Sequence, residues 1–229
     1  MGIVNIVAIE TATPACAIGV RTGAGVEFTR VVDDGRRHTE ALTGALRQLL
    51  EEIQLRPRDV QRVVVDRGPG LFTGLRVGIA TAIAFSQALG CDLVSVTSLE
   101  MLAGGAFEVG SRGSLVACVD GRRGEVFTQG FFLDDEVRAL GDARVTTAKE
   151  VAAAWQIEES PTIFTGDGVQ RYRGEFEGNP LFSIFDQSVP SVRAGIALGL
   201  VRAPEEFVTP LYLREADAVA NFTTRERPQ

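Results

Sequence analysis

Apolar and β-branched residues cluster at 4–9, 15–20 and 26–32, separated by turn formers, with a hairpin signal TGAG at 22–25. Runs of this length predict three short strands folded back on one another as an antiparallel meander. The period then changes: Leu42, Ala45, Leu46, Leu49, Leu50 and Ile53 recur three and four apart, which predicts an amphipathic helix over 38–54. The apolar run 63–65 predicts a strand ending at Asp66, and RGPGLFTGLRVG follows at 67–78. Gly68 and Gly70 allow backbone angles closed to other residues, Pro69 presets one dihedral, and Thr73 stands where a helix cap is needed. A sharp elbow is therefore expected between this strand and a helix over 73–89, followed by a strand at 93–96 and a helix from about Ser98. The order is βββαβαβα.

The same order recurs after Gly113. Strands are predicted at 115–119 and 125–133, then a weaker strand, a helix near 147–155, a strand at 162–165, a turn at 166–168, further elements, and a helix at 192–201. The halves share little identity, so the duplication rests on element order. The expectation is an α/β chain of two lobes: a first lobe over 1–105 carrying the two long helices, a smaller second lobe over 106–205, and a segment 206–229 returning to the first.

The helix at 73–89 has almost no polar face. No residue from Val77 to Leu89 is charged; Gly74, Gly78, Ala82 and Ser86 fall four apart, and Ala80, Ala84 and Ala88 form a second small-residue stripe. Such a helix is either wrapped by its own domain or partly covered by a partner. Small stripes let another helix backbone approach closely. Those thirteen uncharged residues fall short of the roughly 20 that a bilayer crossing requires, so the surface is read as one meant for protein. The helix at 38–54 can lie beside it as half of a bundle. Leu42, Ala45, Leu46 and Leu49 with Gly74, Gly78, Ala82, Phe85 and Ser86 are therefore the candidate partner interface.

Composition narrows the function. The 229 residues are 45% hydrophobic and 23% charged, as in a soluble globular protein. A net charge of -7 argues against a chain that grips nucleic acid by itself, since phosphate neutralisation needs a basic surface. In the tail, Arg214, Arg225 and Arg227 are offset by Glu215, Asp217 and Glu226. Cys16, Cys91 and Cys118 are odd in number and form no CxxC pair, which suits reduced thiols; with no secretory signal at 1–10, a cytoplasmic protein is expected.

Candidate chemistry is sparse. A Walker loop needs Lys and a hydroxyl after its last glycine, but Leu75 and Arg76 follow Gly74 and Lys149 is the only lysine. A Rossmann fingerprint fails on glycine spacing. His38, the only histidine, is assigned to orienting the helix entry rather than to chemistry, and with no GxSxG segment a serine triad lacks its parts. Glu10 and Asp120 end strands at hairpins and stand as a carboxylate-only candidate.

Two lobes of this topology resemble the actin-like ATPase fold (ASKHA, ribonuclease H-like), whose cleft holds ATP in active members; the turns at 10–14 and 120–125 would face that cleft. The segments VAIETATPACAIGV at 7–20, RHTEAL at 37–42, the elbow, VDGRRGEVF at 119–127 and PLYLRE at 210–215 together closely resemble the TsaB (YeaZ) family, over nearly the whole chain. That family is a paralogue of TsaD and serves synthesis of threonylcarbamoyladenosine on tRNA. The resemblance implies a non-catalytic scaffold that pairs with TsaD through a helix bundle, contacts the ATPase TsaE and meets tRNA indirectly; without TsaD, the apolar helix patch is expected to pair two copies as a homodimer. It also implies no resident cofactor, with ATP only at a complex interface. TsaD carries a metal-binding HxxxH whose histidine positions fall here on Ser98 and Leu102, so no metal site is expected. The other reading is an actin-like ATPase or phosphotransferase acting alone on a small substrate.

Overall fold

The computed structural model describes residues 4–32 and 38–214. The expectations placed on the His38 side chain and on Glu215, Asp217, Arg225, Glu226 and Arg227 lie outside the described residues.

The first half contains β1 (Ile6–Glu10), β2 (Cys16–Arg21), β3 (Glu27–Val32), α1 (His38–Glu52), β4 (Arg62–Asp66), α2 (Phe72–Leu89), β5 (Asp92–Val96) and α3 (Ser98–Glu108). The second contains β6 (Gly113–Arg122), β7 (Glu125–Leu133), β8 (Val137–Thr147), α4 (Ala148–Ile157), β9 (Thr162–Thr165), α5 (Asp167–Arg171), β10 (Phe182–Phe185) and α6 (Val192–Val201). The sheets are ordered β3-β2-β1-β4-β5 and β10-β9-β6-β7-β8, which is the same order read from opposite ends. In each, an antiparallel meander is extended by two parallel strands. This is the duplicated actin-like α/β fold. The turn at 166–168 opens into α5, and the strand read as weak is β8, an edge strand of 11 residues.

The last helix of each half covers the other half's sheet. Leu99, Leu102, Ala103 and Ala106 of α3 share a core with Leu115, Phe127 and Phe131 of the second sheet. Val192 and Ile196 of α6 pack on Ile6, Ala8 and Val64 of the first, together with Met101 from the opposite edge of α3. The division drawn at 105 therefore falls inside α3. Close packing of α3 and α6 links the sheets: a Cβ at Gly104 would lie 2.6 Å from Ala194 Cβ. The chain then returns along the first sheet, where the Glu205 N–H donates to Leu93 O and the Leu211 N–H to Arg67 O, both at 2.7 Å, while Val208 enters the core.

α3 starts with a capping box between Thr97 and Glu100. α2 does not use Thr73 as its cap. Leu71 holds the N-cap position without a side-chain bond, and its own N–H donates to Ala12 O at 2.7 Å, a tertiary contact that ties the helix entry to the first hairpin. Gly68 takes φ +104°, and Gly70 presses on the first hairpin: a Cβ there would meet Ala12 O at 2.4 Å. Gly70→Ala is expected to lower unfolding stability by about 1–3 kcal/mol, the range for overpacking. A urea midpoint equal to that of the wild type would show that elbow and hairpin are not in contact.

Candidate functional site

α2 has two faces with different fates. Its inner face meets the first hairpin and sheet: Thr11 Oγ1 donates to Gly74 O at 2.8 Å, and a Cβ at Gly78 would fall 2.2 Å from that hydroxyl. Ile79 and Ala82 join Leu42, Ala45, Leu46, Leu49, Val63 and Val65 in one core. The interface chosen from the sequence is thus mostly interior. Leu42, Ala45, Leu46, Leu49, Gly74, Gly78 and Ala82 are buried. Phe85 is half-buried against the same core, and half-buried Ser86 donates to Cys91 O at 3.1 Å. The stripe with period four serves the chain's own hairpin, which needs the closest approach.

The other stripe faces outward. Thr73, Arg76, Ala80, Ala84, Gln87 and Ala88 are exposed, with Val77 and Thr81 half-buried between them. A shallow groove of about 370 Å³ runs over Phe72, Thr73, Arg76, Val77, Ala80 and Thr81. At its end the Arg76 guanidinium lies 3.8 Å over the Phe72 ring, Phe72 stacks on Tyr212 at 5.3 Å, and Arg76 Nε donates to Tyr212 Oη at 3.3 Å. Phe72 and Tyr212 remain 42% and 45% exposed, which leaves an aromatic and arginine anchor beside an alanine stripe. The sequence held the signal for this face in Ala80, Ala84 and Ala88. Tyr212, arriving from the C-terminal segment, carried none. The helix has 18 residues and a mean hydropathy of 1.3, so by length and composition it could cross a bilayer; its inner face is instead built into the core of the first lobe.

Between the sheets lies a group of carboxylates. Glu10 Oε1 accepts from the N–H groups of Ala12 at 2.6 Å and Thr13 at 3.1 Å. Asp66 Oδ1 accepts from the Gly68 N–H at 2.7 Å and lies 2.9 Å from Ser98 Oγ, which is also 2.9 Å from Pro69 O. Burial, and then the charge of Asp66, hold Glu10 well above the ordinary carboxylate range. Burial pushes Asp66 up to about 7 and Asp167 up to about 6. Asp120, expected to face Glu10, is engaged elsewhere: its Oδ2 pairs with Arg122 at 3.1 Å and Arg171 at 3.6 Å, and its own N–H donates to Asp167 Oδ1 at 2.9 Å. Sequence reasoning missed both Asp66 and Asp167 as members of this group.

A phosphate cradle needs free amides and positive charge. In the first hairpin the Ala12 and Thr13 N–H groups already hold the Glu10 carboxylate, and residues 11–15 include no basic side chain. At the two positions matching an HxxxH pair, Ser98 is bonded as above and Leu102 lies in the core of the second lobe at 0% exposure. Among the described residues no three His, Cys, Asp or Glu side chains converge as a metal site.

Cys16 and Cys118 are buried, Cys91 is half-buried, and burial pushes the Cys118 thiol up to about 12. Cys118 is thus held as a buried, protonated thiol. With a thiol-reactive dye at pH 8, only Cys91 is expected to react slowly in the folded chain, Cys16 and Cys118 becoming available on unfolding. Rapid labelling of Cys118 in the folded protein would overturn this.

Comparison with known proteins places this geometry. A family model described as TsaD, tRNA N6-adenosine threonylcarbamoyltransferase, matches residues 33–176. An uncharacterized protein of Mycobacterium tuberculosis is 35% identical over 220 residues, covering 93% of each chain. The tRNA threonylcarbamoyladenosine biosynthesis protein TsaB of Bacillus subtilis is 29% identical over 235 residues, covering 97% of this chain and all of the other. A crystal structure of a Pseudomonas aeruginosa protein, described as similar to peptidase YeaZ, superposes with a TM-score of 0.80 at 25% identity, covering 92% of this chain and 100% of that one.

Proposed function

Because the chain belongs to the TsaB (YeaZ) family, whose members are named for tRNA threonylcarbamoyladenosine biosynthesis, we propose that it is the non-catalytic scaffold subunit of that machinery. Its task is to hold a TsaD-type subunit through the outer face of α2, with TsaE as a further contact and tRNA reached indirectly. The transfer of the threonylcarbamoyl group to the adenosine next to the anticodon belongs to the complex.

One observation carries this reading: a helix fixed to the core along one side presents Ala80, Ala84 and Ala88 on the other, with Arg76 as its only charge. Small side chains let a partner helix come close, and the Phe72, Arg76 and Tyr212 cluster supplies an anchor of the residue types that dominate interface energetics. Neighbouring α1 is polar where it is exposed, at Thr43, Arg47, Gln48, Glu51 and Glu52, in contrast to the alanine stripe. Apolar surface left in water costs roughly 25 cal/mol per Å², and a typical interface of about 1,200 to 2,000 Å² removes it. With no partner present, the same face pairs two copies into a homodimer. The net charge of -7 fits a subunit that leaves the grip on tRNA to others. The amides that a phosphotransferase would turn toward phosphate are held by Glu10, which speaks against the reading of a lone ATPase.

Ala84→Arg is expected to weaken both TsaD capture and self-association by roughly thirtyfold or more, with an unchanged circular dichroism spectrum. Ala82→Arg, which drives a charge into the core, is expected to unfold the chain instead. Wild-type affinity in folded Ala84→Arg, measured by calorimetry and sedimentation, would remove α2 as the docking element.

A further inference from the structure

Glu10 ends β1 and Asp66 ends β4, and these strands run parallel from Ile6 opposite Arg62 to Ile9 opposite Val65, which makes Glu10 and Asp66 the next rung. Residues on one rung of neighbouring strands are about 4.8 Å apart and point to the same face. That face also carries Ile6, Ala8 and Val64, under α6 and Met101. Both carboxyl groups are sealed from solvent at 0% exposure.

Each has one oxygen accounted for and one that is not. Glu10 Oε1 holds the first hairpin through Ala12 and Thr13, and Asp66 Oδ1 holds the elbow through Gly68 and Ser98. Glu10 Oε2 and Asp66 Oδ2 are buried with no hydrogen-bond partner. The outside charges acting most on the pair are negative too: Asp167 of α5 on Glu10, and Glu100 of α3, itself paired with Arg202, on Asp66. Asp120 lies beyond Asp167 and is tied to Arg122 and Arg171.

Two ionised carboxylates on one rung of a buried site repel one another, and two of their four acceptor oxygens have no donor. One proton corrects both faults, since it removes one charge and turns one acceptor into a donor. We propose that Glu10 and Asp66 share a single proton at neutral pH, and that this proton fastens the first hairpin to the elbow and so fixes the position of α2. Its value for docking rests on the scaffold reading above, whereas the shared proton itself does not. The linkage is structural: the hairpin held by Glu10 supplies Ala12 O to the Leu71 N–H and the Thr11 hydroxyl to Gly74 O, and the elbow held by Asp66 leads directly into α2.

The pH dependence follows from the direction of the shifts. An unfolded chain releases carboxyl protons near pH 4, while burial holds Asp66 to about 7 and Glu10 well above its ordinary range. Stability from the pair is fully present below the unfolded range and is lost as pH rises through the folded value. For one retained proton the folding equilibrium constant falls by up to about tenfold per pH unit across that window.

The experiment is urea unfolding between pH 5.5 and 8.5 on the wild type, Glu10→Gln, Asp66→Asn and Asp167→Asn. Infrared spectra at pH 6.5, where Asp66 at about 7 still retains its proton, add a search for a protonated carboxyl band. In Glu10→Gln the amide is a permanent donor with no charge, so the slope above pH 6 should shrink by about one proton and the band should vanish. Asp66→Asn should do the same, and Asp167→Asn, which removes a group titrating near 6, should keep both the band and the slope between pH 6 and 7. Protection of the Ala12, Thr13 and Gly68 amides, corrected for the intrinsic rise of exchange with pH, should fall above pH 7 in the wild type alone. A full wild-type slope in folded Glu10→Gln overturns the proposal. So does a wild-type spectrum without the carboxyl band, which decides the matter even if both pair variants fail to fold. Partner binding is not among the readouts, so a failure of the scaffold reading leaves this test standing.

Discussion

The contact between the first hairpin and the start of α2 sets most of what this molecule can do. Gly70 and Gly78 let Ala12 and the Thr11 hydroxyl come closer than any Cβ would permit, and that approach presses one side of the helix into the core. Once that side is used, the other is what remains, and it is made mostly of alanine and threonine with Phe72, Gln87 and a single arginine. A helix locked along one edge and bare along the other is the feature on which the proposed scaffold role rests. Rigid presentation lowers the ordering cost that binding must otherwise overcome.

The cleft follows from the same constraint. To stay against α2 the hairpin must be held in one conformation, and Glu10 does this by accepting two of its amides. An amide bonded to an internal carboxylate is no longer a donor for a ligand. At this hairpin the polar groups are turned onto one another, the Ala12 and Thr13 amides onto Glu10. Crossed packing of α3 and α6 adds to this rigidity, because each sheet is roofed by a helix from the other half.

Much of this was legible in the chain. The strand at 162–165 and the helix at 192–201 are read to the residue from apolar periodicity, and the repeat of element order identifies the duplicated architecture. Periodicity could not say which of two small-residue stripes on α2 faces inward. Gly74, Gly78, Ala82 and Ser86 look as suited to a partner as Ala80, Ala84 and Ala88, and what separates them is Thr11, far away in sequence. α5, at 5 residues, is too short for a helical period to register, and the reach of Tyr212 to Phe72 depends on the path of an irregular segment.

The carboxylates show a different kind of limit. Glu10 and Asp120 were paired in the sequence because each ends a strand at a hairpin, and symmetry between the halves suggested that they meet. In the fold, Asp120 lies among Arg122 and Arg171, and the neighbour of Glu10 is Asp66, one rung past Val65 in the β1 and β4 register. A pattern within one strand cannot reveal that rung, whereas strand order and register together give it at once. Buried acids at the ends of adjacent parallel strands should therefore be sought from topology rather than from motif. Where each retains an unpartnered oxygen, the missing donor is as much a part of the structure as any side chain.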